Sequence, residues 1–158
     1  MTQRTPVLVL AVGNPSRGDD AIGPLLAARL EARALPQVEV VTDYQLQVEH
    51  ALDLEGRDRV IFVDAGAGTA APFELRRVRP SNDFAHTTHA LTPAGVLDAY
   101  ERVIGDLTAE AWLLCVRGEA FELGEGLSVA AQRSLEAAFA RLVAICNPAT
   151  AIAGPGMP

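Results

Sequence analysis

The chain has 158 residues, 49% of them hydrophobic and 21% charged, and a formal net charge of −7. That length and balance fit one globular domain with room for a sizeable core. The acidic charge argues against non-specific binding to nucleic acid or anionic membranes, and the absence of Lys excludes Schiff-base and P-loop lysine chemistry.

Val7–Val12 is a nearly continuous apolar run, which predicts a strand buried on both faces. Gly13 to Gly18 is turn-rich, and the spacing of Leu25, Leu26 and Leu30 predicts a helix over Asp20–Ala34. Val38–Val41 reads as a second strand. Leu46–Leu54 has helical spacing, and Val60–Val63 is a third buried strand that ends at Asp64. Phe73–Val78 alternates apolar and polar residues, as an edge strand does, antiparallel in the best fit. Thr92-Pro93 opens a helix with Thr92 as its cap. Ala111–Val116 is a fifth strand, Arg117–Leu127 is expected to be a mobile, solvated loop, and Ser128 caps a helix to about Cys146. The order predicts a three-layer α/β/α sandwich around a mostly parallel five-stranded sheet with one antiparallel edge strand.

A single domain is expected over residues 1–146. The tail 147–158, with three prolines and two glycines, is expected to be loose. The N-terminal apolar run is too short to span a membrane and lacks the cleavage site of a secretory signal. Cys115 and Cys146 make no disulfide framework and read as core thiols, so a reducing cytoplasm is the expected location.

The chemistry concentrates in GNPSRGDDAIGP. Its glycines have phosphate-loop spacing, but Asp19 and Asp20 stand where Lys and Ser or Thr belong. Paired carboxylates repel a phosphate and suit a cation. Helix capping is the bland account of the two aspartates, worth about 0.3–1 kcal/mol each. Asp64 shifts the balance, because it too ends a central strand and faces the same rim, where open α/β sheets bind ligands. His89 lies on the connection that returns over this rim; His86 is near enough to compete, and His50 reads as a surface histidine. Aspartate oxygens with imidazole suit zinc, nickel, iron or cobalt better than magnesium. No metalloprotease helix and no serine nucleophile elbow is present.

GNPSRGDDAIGP resembles the opening motif of the nickel-iron hydrogenase maturation endopeptidases. VIFVDAG, HALTPAGVLDAY and VRGEAFELGEGLS look like further motifs of that family, in the expected order. The resemblance implies a metal-dependent endopeptidase that removes a C-terminal peptide from the nickel-loaded precursor of a hydrogenase large subunit. By motif position it places the metal-contacting and catalytic set on Asp20, Asp64 and His89, with Asp19 behind them or capping the helix. The nickel would come with the substrate, and no permanently bound metal is expected. Two departures stand out. Ala21 replaces a common glycine, and the loop after the second strand reads DYQLQVEH. A similar loop occurs in relatives that serve soluble, cofactor-reducing hydrogenases. In this loop Asp43, Gln45, Gln47 and Glu49 are the candidate substrate contacts. The rival expectation is a non-catalytic nickel chaperone or precursor-holding factor with the same ligands. Neither reading involves nucleic acid or a membrane, and the chain is expected to be a monomer.

Overall fold

A computed structural model describes residues 3–81 and 91–152. Five strands form one sheet: β1 (Val7–Val12), β2 (Val38–Asp43), β3 (Arg59–Gly66), β4 (Phe73–Arg77) and β5 (Glu110–Arg117). Their order is β2-β1-β3-β5-β4, and every neighbouring pair is parallel except β4 with β5. The mostly parallel sheet and its antiparallel edge strand match expectation.

Among the described residues, three α-helices cover the sheet: α1 (Ile22–Ala32), α2 (Pro93–Val103) and α3 (Val129–Ile145). All six residues of β1 are buried, because a central parallel strand is covered on both faces. Side chains alternate across the sheet, so β1 and β3 feed two cores. Val7, Val9, Ile61 and Val63 pack with Trp112 and the apolar stripes of α1 and α3. Leu8, Leu10, Val60 and Phe62 pack with Val96, Leu97 and Tyr100 of α2 on the other face.

Helix starts follow local chemistry. The Thr92 hydroxyl accepts from the Gly95 N–H (3.0 Å) with Pro93 at the first helical position, and the Ser128 hydroxyl accepts from the Ala131 N–H (3.1 Å). Helix α1 departs from expectation: it begins at Ile22, and Gly18–Ala21 forms a separate 3-10 turn before it. The helical spacing of residues 46–54 likewise resolves as a 3-10 helix, Val48–Leu54.

Two segments expected to be free are held. The buried Arg59 donates to the carbonyls of Ile145 (2.9 Å), Asn147 (2.9 Å) and Thr150 (2.7 Å), and Ile152 lies in the core. The looseness expected from Asn147 onward therefore does not hold for residues 147–152, and residues 153–158 lie outside the described residues. The loop between β5 and α3 is fixed as well, by contacts that belong to the site.

The order places β1 at the turning point of the winding. From β1 the chain crosses by α1 on one face to β2, then returns by the 3-10 helix on the other face to β3. β1 and β3 are neighbours, so the gap above their carboxyl ends is the crevice where such sheets take ligands.

Candidate functional site

The loop after β1 is tied down at both ends. Gly13 (φ +151°) donates to the carbonyl of Asp43 at the end of β2 (3.1 Å), and a side chain there would run into the backbone carbonyl of Asp20. The Asn14 N–H donates to Asp20 Oδ2 (2.7 Å), which folds the carboxylate back over the end of β1. Asp20 Oδ1 accepts no hydrogen bond among the described residues, and the residue is half-buried.

Asp64 comes from the adjacent strand. It alternates with Val60 and Phe62, so it shares the α2 face of the sheet. Its Oδ1 accepts from the Ala65 N–H (2.8 Å), and Oδ2 is likewise left without a donor among the described residues. Burial pushes its pKa up to about 6; the Ala65 hydrogen bond opposes the rise and the charge of Asp20 adds to it. Asp20 and Asp64 are therefore in electrostatic contact, each with one oxygen held by backbone and one unclaimed.

Asp19 does something different from its neighbour. It is fully buried, and neither it nor Asp20 caps α1, whose start has no side-chain cap. Its carboxylate accepts from the N–H groups of Glu119 (2.6 Å), Ala120 (3.0 Å) and Ser128 (2.8 Å) and from the Ser128 hydroxyl (2.8 Å). In return the Asp19 N–H donates to the Ala120 carbonyl (2.7 Å), and Gly124 donates to the Ser16 carbonyl (2.8 Å). The loop expected to be mobile is thus clamped onto the first loop. Burial raises the Asp19 pKa, but the four hydrogen bonds outweigh it and hold the carboxyl below its ordinary value.

The candidate substrate contacts divide. Asp43 lines a cleft of about 310 Å³ with Gly13, Pro15, Pro24, Thr42 and Tyr44. The Gln47 backbone is tied to His50: its carbonyl accepts from the His50 N–H (3.0 Å), and its own N–H donates to His50 Nδ1 (2.8 Å). Gln45 and Glu49 are exposed. His50, read as a surface histidine, is buried, with Nε2 3.3 Å from Asp43 Oδ2, so it steadies the cleft's acid.

No protein-family model and no curated relative matches the chain. Solved structures do. Hydrogenase maturating endopeptidase HybD from E. coli is 27% identical with a TM-score of 0.69, over 89% of this chain and 91% of that one. An endopeptidase from Escherichia coli is 26% identical with a TM-score of 0.68, over 90% of this chain and 91% of that one. The [NiFe] hydrogenase maturation protease HycI from Thermococcus kodakarensis shares the fold, with a TM-score of 0.68 at 24% identity over 92% of this chain and 94% of that one. These likenesses to solved hydrogenase maturation endopeptidases run over most of the chain and support the resemblance read from its motifs.

Of the three residues that the family resemblance singles out, the structure brings Asp20 and Asp64 to one crevice. His89, and with it His86, lies outside the described residues. Among the described residues no group of three or more His, Cys, Asp or Glu is placed to hold a metal ion. The two aspartates present hard, anionic oxygens to the crevice, the donor type that suits a cation.

One neighbour of the Asp20–Asp64 crevice was missed in the sequence. Cys115 is level with Asp64 on β5, on the same face, and its Sγ lies 2.9 Å from the Thr69 hydroxyl. Burial raises the thiol's pKa, the Thr69 contact lowers it, and the charge of Asp64 raises it, so the thiol stays protonated and is a poor nucleophile. Its place beside Asp64 follows from the β3–β5 register, which no local motif reveals.

Proposed function

We propose that this chain is an endopeptidase that removes a C-terminal peptide from the nickel-loaded precursor of a nickel-iron hydrogenase large subunit, of the soluble, cofactor-reducing type. The observation that carries the reading is the pairing of Asp20 with Asp64 across the β1–β3 crevice, each with an unclaimed oxygen. Two carboxylates in electrostatic contact repel one another, and a divalent cation between them removes the repulsion.

In this reading nickel arrives with the substrate, and His89 completes the ligand set. The metal orients the scissile peptide and polarises its carbonyl or a bound water. Because an unloaded precursor lacks the cation, recognition of the substrate and inspection of its metal become one event. The rim around Asp43 receives the substrate's tail, and the clamp on Asp19 holds the opposite wall still. The chain acts in the cytoplasm as a monomer. No helix among the described residues is long and apolar enough to cross a membrane.

The test is incubation of the purified protein with nickel-loaded and nickel-free precursor, read by mass spectrometry of the precursor's C-terminus. Loss of the tail from the loaded form alone is the expected outcome. Equal cleavage of both forms would refute the substrate-metal mechanism, and an unchanged mass would favour the non-catalytic holder.

A further inference from the structure

A second groove of the described surface lies away from the carboxylates. It is a trough of about 640 Å³ between α1 and α3, its apolar lining made by Leu25, Ala28, Leu127, Val129 and Leu135. Leu25 and Val129 are 43% and 66% exposed, although their helices pack against each other nearby. Contiguous apolar surface rimmed by polar residues marks an interaction site more often than scattered exposed side chains do.

Position and charge narrow the occupant. Both helices start at the rim that carries Asp20 and Asp64. Leu127 belongs to the rim loop, and Leu127 and Val129 flank Ser128, whose N–H and hydroxyl are held by the Asp19 carboxylate. The trough therefore opens beside the crevice and shares its anchoring. Of the two arginines that line it, Arg29 is spent on Glu136 (2.5 Å) and on the face of Phe139. Arg133 is exposed and makes no hydrogen bond or ion pair among the described residues. In a chain with a net charge of −7, this leaves one uncompensated cation beside an apolar trough.

We infer that the α1–α3 trough is a docking site for a segment of the precursor that bears apolar side chains and an acidic residue, the apolar groups against Leu25 and Val129 and the acid against Arg133. The inference rests on the proposed function, since the precursor is the partner that must approach this rim. The site grips the folded precursor away from the bond to be cut and adds affinity without joining the chemistry.

The experiment is calorimetric titration of the full chain with full-length unprocessed precursor, for the native sequence and for Arg133→Glu, Arg133→Lys and Leu25→Gln. Both side chains are on the surface, so melting temperatures should not change. Arg133→Glu and Leu25→Gln should each weaken binding about tenfold or more, while Arg133→Lys should stay within about threefold of native. Where cleavage is observed, KM should rise with kcat unchanged. Unchanged affinity in Arg133→Glu and Leu25→Gln would overturn the inference. So would a dimer of the native chain that Leu25→Gln dissociates, because the occupant would then be a second copy. Binding that depends on Arg133 and Leu25 without loss of the tail would leave the docking site standing and remove the proposed catalysis. Cleavage with native affinity in the variants would do the reverse.

Discussion

Asp19 and Ser128, separated by 109 positions in the chain, share one carboxylate: the Ser128 N–H reaches Oδ1 and its hydroxyl reaches Oδ2, both at 2.8 Å. The same hydroxyl accepts from Ala131, so Ser128 caps α3 and closes the rim loop at once. The first loop, which carries Asp20, and the last loop, which opens α3, are thereby one rigid unit.

Removing the Asp19 carboxylate leaves the part-buried donors of Glu119, Ala120 and Ser128 without their acceptor. Unmade buried hydrogen bonds cost about 1–3 kcal/mol. Asp19→Ala should lose about 3 kcal/mol or more in urea unfolding at neutral pH, and Asp19→Asn should lose less. The folded-state pKa is depressed, so the contribution is present above the unfolded value near 3.8 and disappears as pH falls through the lower folded value. The gap between native and Asp19→Asn should therefore close as pH falls below 3.8 and through the lower folded value. A gap that persists there would show that shape, not charge, makes the clamp.

Asp64 has the opposite sign. Its carboxyl sits near 6 in the folded chain against an ordinary value of 3.8, so the folded state holds a proton that the unfolded state has released. Stability then falls as pH rises from about 4 to about 6, and the full penalty stands above that window. Asp64→Asn keeps an oxygen for the Ala65 N–H and removes the charge. It should raise stability at pH 7.5 by about 1–2 kcal/mol, a few degrees in melting temperature, with no gain at pH 4. Precursor cleavage should be abolished in the same variant. A variant no more stable than the native chain at pH 7.5 would remove the buried-charge account.

Asp20 is one of the causes of that raised pKa. Asp20→Asn should lower the Asp64 pKa and leave it above 3.8, because burial is the larger cause. Carboxyl-carbon NMR titration of Asp64 in both proteins reads the change directly. If Asp20 holds the substrate's metal as proposed, cleavage should fall by about a hundredfold or more. An unmoved Asp64 titration would separate the two acids and undo the proposed cation site.

Much of this was legible in the sequence because it is local or periodic. Buried parallel strands announce themselves as apolar runs, and the caps at Thr92 and Ser128 lie next to what they cap. Asp20 and Asp64 could be placed on one rim because each follows a strand predicted to be central. The rest is long-range. Asp19 looked like a cap because its true partners lie 100 and more residues away. Arg59 holds the segment after α3 through carbonyls 86 to 91 positions distant, which no composition of proline and glycine could reveal. The choice between α and 3-10 geometry at residues 48–54 turns on a seven-residue segment tied by Gln47 and His50, too short for periodicity to decide.

Gly13 offers a test of geometry without any change of charge. Its φ of +151° strains any other residue, and an added Cβ would meet the Asp20 carbonyl. The strands beneath are buried and indifferent to the loop, so Gly13→Ala should keep its far-ultraviolet spectrum and lose about 1–3 kcal/mol, the range for a residue forced into a rarely populated backbone region. Relief comes most easily by pushing Asp20 off Asn14, whose N–H holds its carboxylate at 2.7 Å. Cleavage of nickel-loaded precursor should then fall at least tenfold although every acidic residue remains. A folded Gly13→Ala protein with native activity would mean that the position of Asp20 is not set by this loop.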